Sequence, residues 1–369
     1  MDIKKRPAGR LSAFVLSLLL IVTSVIYVFM QPASAAENDA AAEKLKATFA
    51  FEGFTGQKNI SDGNNSTFAT GSKNSTVAVM ADKNISFIYI SYNHAPGEWK
   101  LSSGSKQADC GRDGFIHEYV DVKSALGDVN MVSLSYPAGA EIESVAVYGE
   151  GKIPDDVQVW QPPCENADIL LLSAHTDDDQ LYFAGLIPYY VTVRGAAVQV
   201  AYFTEHLKEN YRWHERLNGL WTAGMRNYPV ISSFPDAYSS SAAGAYTNFK
   251  NAGFSEDQVV SWVSEQLRRF KPQVTVTHDF TGEYGDGQVM AAVGGMTKAV
   301  PMAADKSKTL GGYEPFEVLK SYVHVYDKNK IVIDAYDTPF EELGGLTPFA
   351  VSQKAFLCHK SQLKWTDLT

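Results

Sequence analysis

Two hydrophobic patterns divide this chain. In the first half, short apolar runs alternate with polar positions and are broken by Gly, Asn, Ser and Asp. Strands at this spacing, with turn residues between them, are typical of an antiparallel sandwich. We therefore predict an all-β sandwich over residues 49–155, whose clearest strands are the runs at 76–80, 85–90, 132–134 and 145–148.

The second half shows continuous apolar runs that alternate with helical stretches. The run Ile169–Leu172 predicts a strand buried on both faces of a parallel sheet. Strand and helix in alternation predict a doubly wound α/β domain, mostly parallel, over residues 165–369. Prolines 154, 162 and 163 mark the boundary before it. Further strands are predicted at 198–203, 274–276, 322–325 and 331–333, and helices at 180–193, 211–225 and 255–270.

The N-terminal residues do not read as part of either domain. Residues 1–10 hold four basic side chains and one acid, residues 11–30 hold no charge, and residues 33–35 read Ala-Ser-Ala. This order is typical of a secretory signal peptide over residues 1–35, and it predicts a secreted or surface-exposed protein. The alternative is an uncleaved anchor, since twenty apolar residues can span a bilayer. Residues 36–48 are predicted to be a linker.

Composition narrows the class of protein. The chain has 369 residues, 42 acids and 32 bases, and a formal net charge of −10. This length predicts two domains. No basic face is available for phosphate contacts, so nucleic acid is not an expected partner. The cysteines Cys110, Cys164 and Cys358 are odd in number, so at least one thiol stays free or pairs between chains.

One motif carries the chemistry of the second half. The sequence Ala-His-Thr-Asp-Asp-Asp at 174–179 follows the first strand of the predicted parallel sheet, where ligands of doubly wound folds bind. A His and three carboxylates crowded together repel one another unless a cation lies among them. A His and an Asp suit zinc, and a further carboxylate suits a general base. The alternative, that the acids cap the next helix, explains one acid and not three plus a His.

The motif resembles the GlcNAc-phosphatidylinositol de-N-acetylase (PIG-L or LmbE-like) superfamily. These are zinc-dependent amidases on a Rossmann-like fold with the signature A-H-x-D-D-E, and Asp179 stands here in the Glu position. The resemblance implies His175 and Asp178 as zinc ligands and Asp177 as general base. It covers residues 165–369, through the blocks R-W-H-E at 212–215, T-H-D at 277–279, G-E-Y-G at 282–285 and C-H-K-S-Q at 358–362.

The sandwich resembles the galactose-binding-like (discoidin-type) jelly rolls that are attached to secreted members of this superfamily. The resemblance implies a carbohydrate-binding domain. Its aromatic residues Trp99, Phe115 and Tyr119 are either core residues or sugar contacts.

A second block departs from the family pattern. After G-E-Y-G the family continues H-x-x-H, in which the last His is the third zinc ligand and the first stabilises the oxyanion. Asp286 and Val289 stand at these positions. Valine cannot bind a metal, and an ionised Asp286 repels an oxyanion. We therefore predict weak zinc binding, with His278 or Asp286 itself completing the site; alternatively, His278 is a hydrogen-bonded loop histidine.

The leading hypothesis is an exported, zinc-dependent de-N-acetylase that acts on N-acetylated amino sugars of a glycan or glycoconjugate. The alternative is an impaired relative that binds cell-surface carbohydrate without hydrolysing it. Arg212 is a candidate substrate contact that also pairs with Glu215. His359, on a predicted terminal helix, is a candidate substrate residue with a packing or supporting role, and metal ligation is the alternative. The candidate residues are Asp177 and Asp286 for catalysis, His175, Asp178 and His278 for Zn2+, and Arg212 and His359 for substrate.

Overall fold

The computed structural model describes residues 40–64, 66–206 and 209–365. The predicted signal peptide or anchor and the start of the predicted linker lie outside these ranges. Within them, no helix has the length and apolar character needed to cross a membrane.

The first half forms an eight-stranded antiparallel sheet, which confirms the predicted all-β character. The strand order is β5-β4-β7-β2-β8-β3-β6, with β1 paired to β2. The long strand β2 contacts β1, β7 and β8, so it links different parts of the sheet. The pairing defines a single sheet, and the jelly-roll form remains a prediction. The strands are β1 (Ala47–Thr55), β2 (Ala69–Ala81), β3 (Phe87–Tyr92), β4 (Trp99–Ser103), β5 (Lys106–Cys110), β6 (His117–Asp121), β7 (Met131–Tyr136) and β8 (Ala140–Tyr148); a short helix, α1 (Val122–Leu126), follows β6, and a 3-10 helix (Gln57–Ser61) follows β1.

The described part of the predicted linker belongs to this sheet region. Ala41 forms a bridge with Lys152, and Lys44 forms one with Tyr148. The side chain of Leu45 is buried in the core. Residues 40–46 therefore pack along the sheet, and β1 begins two residues before the predicted start of the sandwich.

The second half contains a five-stranded parallel sheet in the order β11-β10-β9-β12-β13. The chain builds outward from β9 on one side and returns to build on the other, which confirms the doubly wound α/β domain. All five residues of β9 are buried, as its continuous apolar pattern predicts. The strands are β9 (Ile169–Ser173), β10 (Val198–Tyr202), β11 (Val230–Ile231), β12 (Val274–Thr277) and β13 (Lys320–Val323).

The helices agree with the sequence in part. Helix α5 begins at the predicted place, with a capping box between Ser255 and Gln258. The predicted helix 180–193 is broken into a short helix and a π-helical turn, because Gly185 adopts a left-handed φ of 89°. No strand forms at 331–333. The helices are α2 (Asp178–Leu181), α3 (Tyr211–Thr222), α4 (Ala242–Asn251), α5 (Glu256–Phe270), α6 (Gly287–Ala304) and α7 (Pro348–Phe356), with a π-helix at Pro188–Val193 and 3-10 helices at Glu341–Leu343 and Leu363–Trp365.

The hydrophobic cores of the two sheets are connected. One cluster runs from the antiparallel sheet through Trp160 to Leu171 on one face of the parallel sheet. Trp99 and Phe115 belong to this cluster, so these two aromatic residues are core residues rather than exposed sugar contacts. A second cluster covers the opposite face of the parallel sheet. The three cysteines are free thiols.

Candidate functional site

Polar side chains from four strands meet at the carboxyl edge of the parallel sheet. His175, Asp177 and Asp178 follow β9, as the sequence predicts. His278 follows β12, while His206 and Asp236 follow β10 and β11. This edge is where doubly wound sheets bind ligands.

His175 and Asp178 form the buried centre of the site. Asp178 Oδ2 lies 3.1 Å from His175 Nδ1 and accepts the backbone N–H of His175 at 3.0 Å. Burial disfavours the imidazolium, but the charges of Asp178, Asp236 and Asp286 outweigh it and raise the pKa of His175 to about 10. Burial likewise opposes ionisation of Asp178, yet the contact with His175 lowers its pKa. The two side chains therefore form a charged pair.

Asp177 lies beside this pair and contacts Arg212 of α3. Arg212 Nη2 donates to Asp177 Oδ1 at 3.1 Å. Burial and the neighbouring Asp178 raise the pKa of Asp177 to about 6, although Arg212 opposes the shift. A carboxyl group with this pKa can exchange a proton near neutral pH. The third acid of the motif, Asp179, is fully buried against Gln180, and burial raises its pKa to about 8.

Three residues of the site were missed by the sequence analysis. Asp236 Oδ2 lies 2.8 Å from His206 Nδ1, and its Oδ1 lies 3.7 Å from His175 Nε2. Gln288 Oε1 lies 3.3 Å from the same His175 nitrogen. His206 had a usable signal, since it follows a predicted strand at the sheet edge. Asp236 had none, because it lies in an irregular segment after the two-residue strand β11.

His278 lies at the cluster, but both of its ring nitrogens already have hydrogen-bond partners. Its Nε2 accepts the backbone N–H of Ala174 at 2.8 Å, so the proton of a neutral ring is on Nδ1. Nδ1 lies 3.2 Å from Glu283 Oε1, which accepts that proton. The same carboxylate lies 3.0 Å from His324 Nδ1. This geometry corresponds to the hydrogen-bonded loop histidine rather than to a metal ligand.

Asp286 and Val289 have structural roles at the start of helix α6. Asp286 Oδ1 accepts the backbone N–H groups of Gln288 and Val289 at 2.7 and 3.2 Å, which makes it the N-cap. Val289 is fully buried in the core on one face of the parallel sheet. Gln288, one residue earlier, is the side chain of this turn that faces His175.

Of the two candidate substrate residues, only Arg212 contacts the site. The predicted terminal helix is α7, which ends at Phe356, so His359 lies in the following turn. Its ring stacks on Phe356 and packs against Gly219 of α3. Burial, together with the charges of Arg212 and Arg216, lowers its pKa to about 3. His359 is therefore a neutral packing residue. Glu215, expected to pair with Arg212, instead accepts from the backbone and hydroxyl of Ser361.

The donor set does not fit the implied zinc ion. A catalytic zinc site holds three protein ligands and a water. Among residues 40–64, 66–206 and 209–365, no group of three His, Cys, Asp or Glu side chains is placed to hold a metal. His175 and Asp178 are adjacent, and the side chain 3.3 Å from His175 Nε2 is the amide of Gln288, which is not a usual zinc ligand.

A cavity of about 880 Å³ lies on the side of β12 and β13, and none of the charged residues of the cluster lines it. Its wall includes Tyr182, Phe183 and His324. The ring of Phe183 also contacts that of His278, with ring centroids 4.7 Å apart. Tyr182 stacks on Tyr284, whose side chain is well exposed. The edge of the sheet therefore offers both charged groups and aromatic surface to a ligand.

Comparison with known proteins gives no family assignment. No protein-family model matches the chain, and no curated protein matches it. Similar solved structures include the conserved protein TT1542 from Thermus thermophilus, with 19% identity, a TM-score of 0.40, and coverage of 54% of this chain and 81% of that one. The N,N'-diacetylchitobiose deacetylase of Pyrococcus horikoshii shows 14% identity, a TM-score of 0.37, and coverage of 55% and 73%. A pectin-binding carbohydrate-binding module shows 17% identity, a TM-score of 0.20, and coverage of 31% and 96%. At these scores the likeness establishes neither family nor activity.

Proposed function

We propose that this protein binds an N-acylated amino sugar of a glycan at the carboxyl edge of its parallel sheet, without zinc-dependent hydrolysis. The proposal rests on where the side chains at the expected zinc-ligand positions lie. Val289 is in the core, Asp286 caps α6, and the Nε2 lone pair of His278 is used by Ala174. The two remaining donors, His175 and Asp178, form a charged pair with each other.

The rest of the site supports sugar recognition. Arg212 offers N–H donors, and Asp236, whose side chain is about a quarter exposed, offers an acceptor to hydroxyl or amide groups. Tyr284 offers an exposed ring for the apolar face of a sugar. Small-molecule sites commonly combine aromatic surface with a few placed polar groups. Export through residues 1–35 remains part of this proposal, since a glycan ligand is then accessible.

Hydrolysis of the N-acyl amide is a second candidate function, favoured by one observation. The pKa of Asp177 is raised to about 6, which suits a general base that accepts a proton from an attacking water. Arg212 lies beside it and offers a positive charge near the reacting group.

Binding and turnover measured together separate the two functions. Purified protein is titrated calorimetrically with N,N'-diacetylchitobiose and N,N',N''-triacetylchitotriose, and amine release is followed with and without added Zn2+. We expect saturable binding and no amine release. Asp236→Asn should weaken binding by roughly tenfold, about 1.4 kcal/mol, if one hydrogen bond to a charged group is lost. Asp109→Asn, an exposed change in β5, is the matched control and should have no effect.

Either of two results would overturn the proposal. Zinc-stimulated amine release by the native protein would establish the deacetylase. Absence of binding to any N-acetylated oligosaccharide would remove the sugar ligand.

The zinc site can be tested by restoring a ligand. Gln288→His places an imidazole at the position that faces His175, whereas Val289→His places it in the core. We expect Gln288→His to raise zinc affinity by at least roughly tenfold, because it supplies a third donor. Val289→His should not raise it and should lower stability, because a polar ring is buried without a partner. Metal content by mass spectrometry and zinc titration give the readout.

A further inference from the structure

A second buried cluster of histidine and carboxylate lies between the two domains. His117 belongs to β6 and Glu143 to β8 of the antiparallel sheet, while His214 belongs to α3 of the α/β domain. All three side chains are buried. None of them contacts the candidate site, although His214 is two residues from Arg212.

The hydrogen-bond directions in this cluster can be assigned from one fixed donor. Trp160 Nε1 can only donate, and it donates to Gln158 Oε1 at 2.8 Å. The same oxygen lies 2.7 Å from His117 Nδ1, so Nδ1 carries a proton and donates. In a neutral ring the other nitrogen of His117 is then an acceptor. His214 Nδ1, 2.7 Å from it, must therefore donate.

This assignment leaves one position that requires a proton. His214 Nε2 has a lone pair in the neutral ring and lies 2.9 Å from Glu143 Oε1. Both carboxyl oxygens of Glu143 and His214 Nε2 are buried, and none of these three atoms has a hydrogen-bond partner among the described residues. An ionised carboxylate facing a lone pair in a buried place is strongly unfavourable. A proton between the two atoms removes this conflict, whichever atom holds it.

Burial disfavours the charged forms of the titratable groups in this cluster. Burial lowers the pKa of His117 to about 3 and that of His214 to about 4, and it raises the pKa of Glu143 to about 8. His117 faces Gln158 and Tyr89. His214 feels the positive charge of Arg216 on its own helix, and Glu143 feels the exposed His94 of the β3–β4 loop.

We propose that the contact between the antiparallel domain and helix α3 requires one proton between His214 Nε2 and Glu143 Oε1, and that the contact weakens when this proton leaves at alkaline pH. Docking of the two domains therefore takes up one proton. The α/β domain senses pH through a helix that also carries Arg212.

The direction of the pH effect follows from the proton count. In the unfolded chain, the glutamate and histidine have ordinary pKa values near about 4.5 and 6.5, so neither holds a proton well above about pH 6.5. The folded pair keeps one proton until about pH 8. The unfolded state thus binds fewer protons between these limits, and stability falls as pH rises. The equilibrium constant for unfolding should rise by up to about tenfold per pH unit in this window.

Glu143→Gln tests the proposal. The amide N–H can donate to His214 Nε2 as the protonated acid does, but it does not titrate. Urea unfolding of the full-length protein is followed from pH 6 to pH 9. We expect the alkaline loss of stability from this pair to be absent in Glu143→Gln. Glu141→Gln, the same change two residues earlier on β8 at a partly exposed ion pair with His94, should keep the native profile.

An unchanged alkaline profile in Glu143→Gln would overturn the proposal. If the variant fails to fold, hydrogen exchange of the native protein at pH 6.5 and 9 decides, after correction for intrinsic rates. The proposal requires faster exchange in 117–121 and 211–222 at pH 9, with 256–270 unchanged. Equal change in all three segments, or none, would also overturn it.

Discussion

The two buried clusters of this protein use the same side chains in opposite charge states. At the sheet edge, His175 is surrounded by Asp178, Asp236 and Asp286, and its pKa rises to about 10. Between the two sheets, His117 has Gln158 and His214 as hydrogen-bond partners rather than a carboxylate, and burial lowers its pKa to about 3. Burial by itself favours the neutral ring, so His175 is charged because three carboxyl groups surround it.

This difference in charge distinguishes the candidate ligand site at the sheet edge from the structural contact between the two sheets. Charged groups crowded at one edge cost stability unless each is paired, and such groups are retained where they meet a ligand. A neutral hydrogen-bonded chain gives geometry without that cost. The interface cluster holds α3 from the antiparallel side, and the edge cluster uses Arg212 of the same helix.

The largest expected effect comes from removing the guanidinium group of Arg212 at the sheet edge. Arg212→Met leaves Asp177 buried without its ion pair, and breaking a buried pair in this way costs about 3–5 kcal/mol. Urea unfolding at pH 7 measures the loss. The double variant with Asp177→Asn should recover a large part of it, because the uncompensated charge is then gone.

Arg226→Met is the matched control for this change. Arg226 lies over the ring of Trp221 on the surface, and its removal should cost about 1 kcal/mol or less. Equal losses for Arg212→Met and Arg226→Met would mean that the edge cluster is not electrostatically demanding.

Acid pH tests the neutral side of the comparison. In the fold, His117 stays unprotonated because its pKa is lowered to about 3. In the unfolded chain, it takes up a proton below about pH 6.5. Stability is therefore lost as pH falls from about 6.5, at up to about 1.4 kcal/mol per pH unit for this group. His117→Gln should reduce the measured slope by that amount. An unaltered slope would show that the ring is charged in the fold.

The packing role of His359 can be tested at Gly219, against which its ring lies. A Cβ on Gly219 would lie 2.7 Å from His359 Nε2 and 3.2 Å from the carbonyl of Ala355. Gly219→Ala should therefore lower the free energy of unfolding by about 1–3 kcal/mol. Gly294→Ala, in helix α6, meets only Tyr246 at 4.0 Å and should instead stabilise by about 0.5–1 kcal/mol. Thermal unfolding of the two variants gives the sign of each change.

The smallest effect concerns Asp286. As the N-cap of α6 it should contribute about 1 kcal/mol, so Asp286→Ala should lose this amount and Asp286→Asn should lose less. Thr347→Ala at the start of α7 is a comparable cap and a suitable reference. A metal-dependent change in stability upon Asp286→Ala would contradict the capping role.

The sequence predicted the parallel sheet well where burial was uniform. Strand β9 has four consecutive apolar residues, Ile169–Leu172, and this pattern is unambiguous. Helix α6 was missed because it is rich in Ala and Gly, buried on most sides, and contains Pro301, so no polar face reveals its period. The run at 331–333 is apolar but largely exposed, and it forms no strand.

The site was predictable as far as the motif and the blocks that carry Arg212 and His278 reached. His175, Asp177 and Asp178 are neighbours in sequence, and their position after a buried strand fixed their place. The contribution of Gln288 depends on which side of the α6 N-terminus faces His175, and a one-residue difference separates it from Val289. Spacing alone cannot resolve that difference.

The central position of β9 also has a consequence for the order of folding. Leu170 pairs with Gln199 of β10, 29 residues later, but with Thr275 of β12, 105 residues later. At synthesis rates of about 5–20 residues per second, the second partner emerges roughly 5–20 s after β9. The antiparallel domain, complete at β8, is already available by then. During that interval one edge of a mostly apolar strand lacks its partner, so the nascent chain is most prone to aggregation between the appearance of β9 and that of β12.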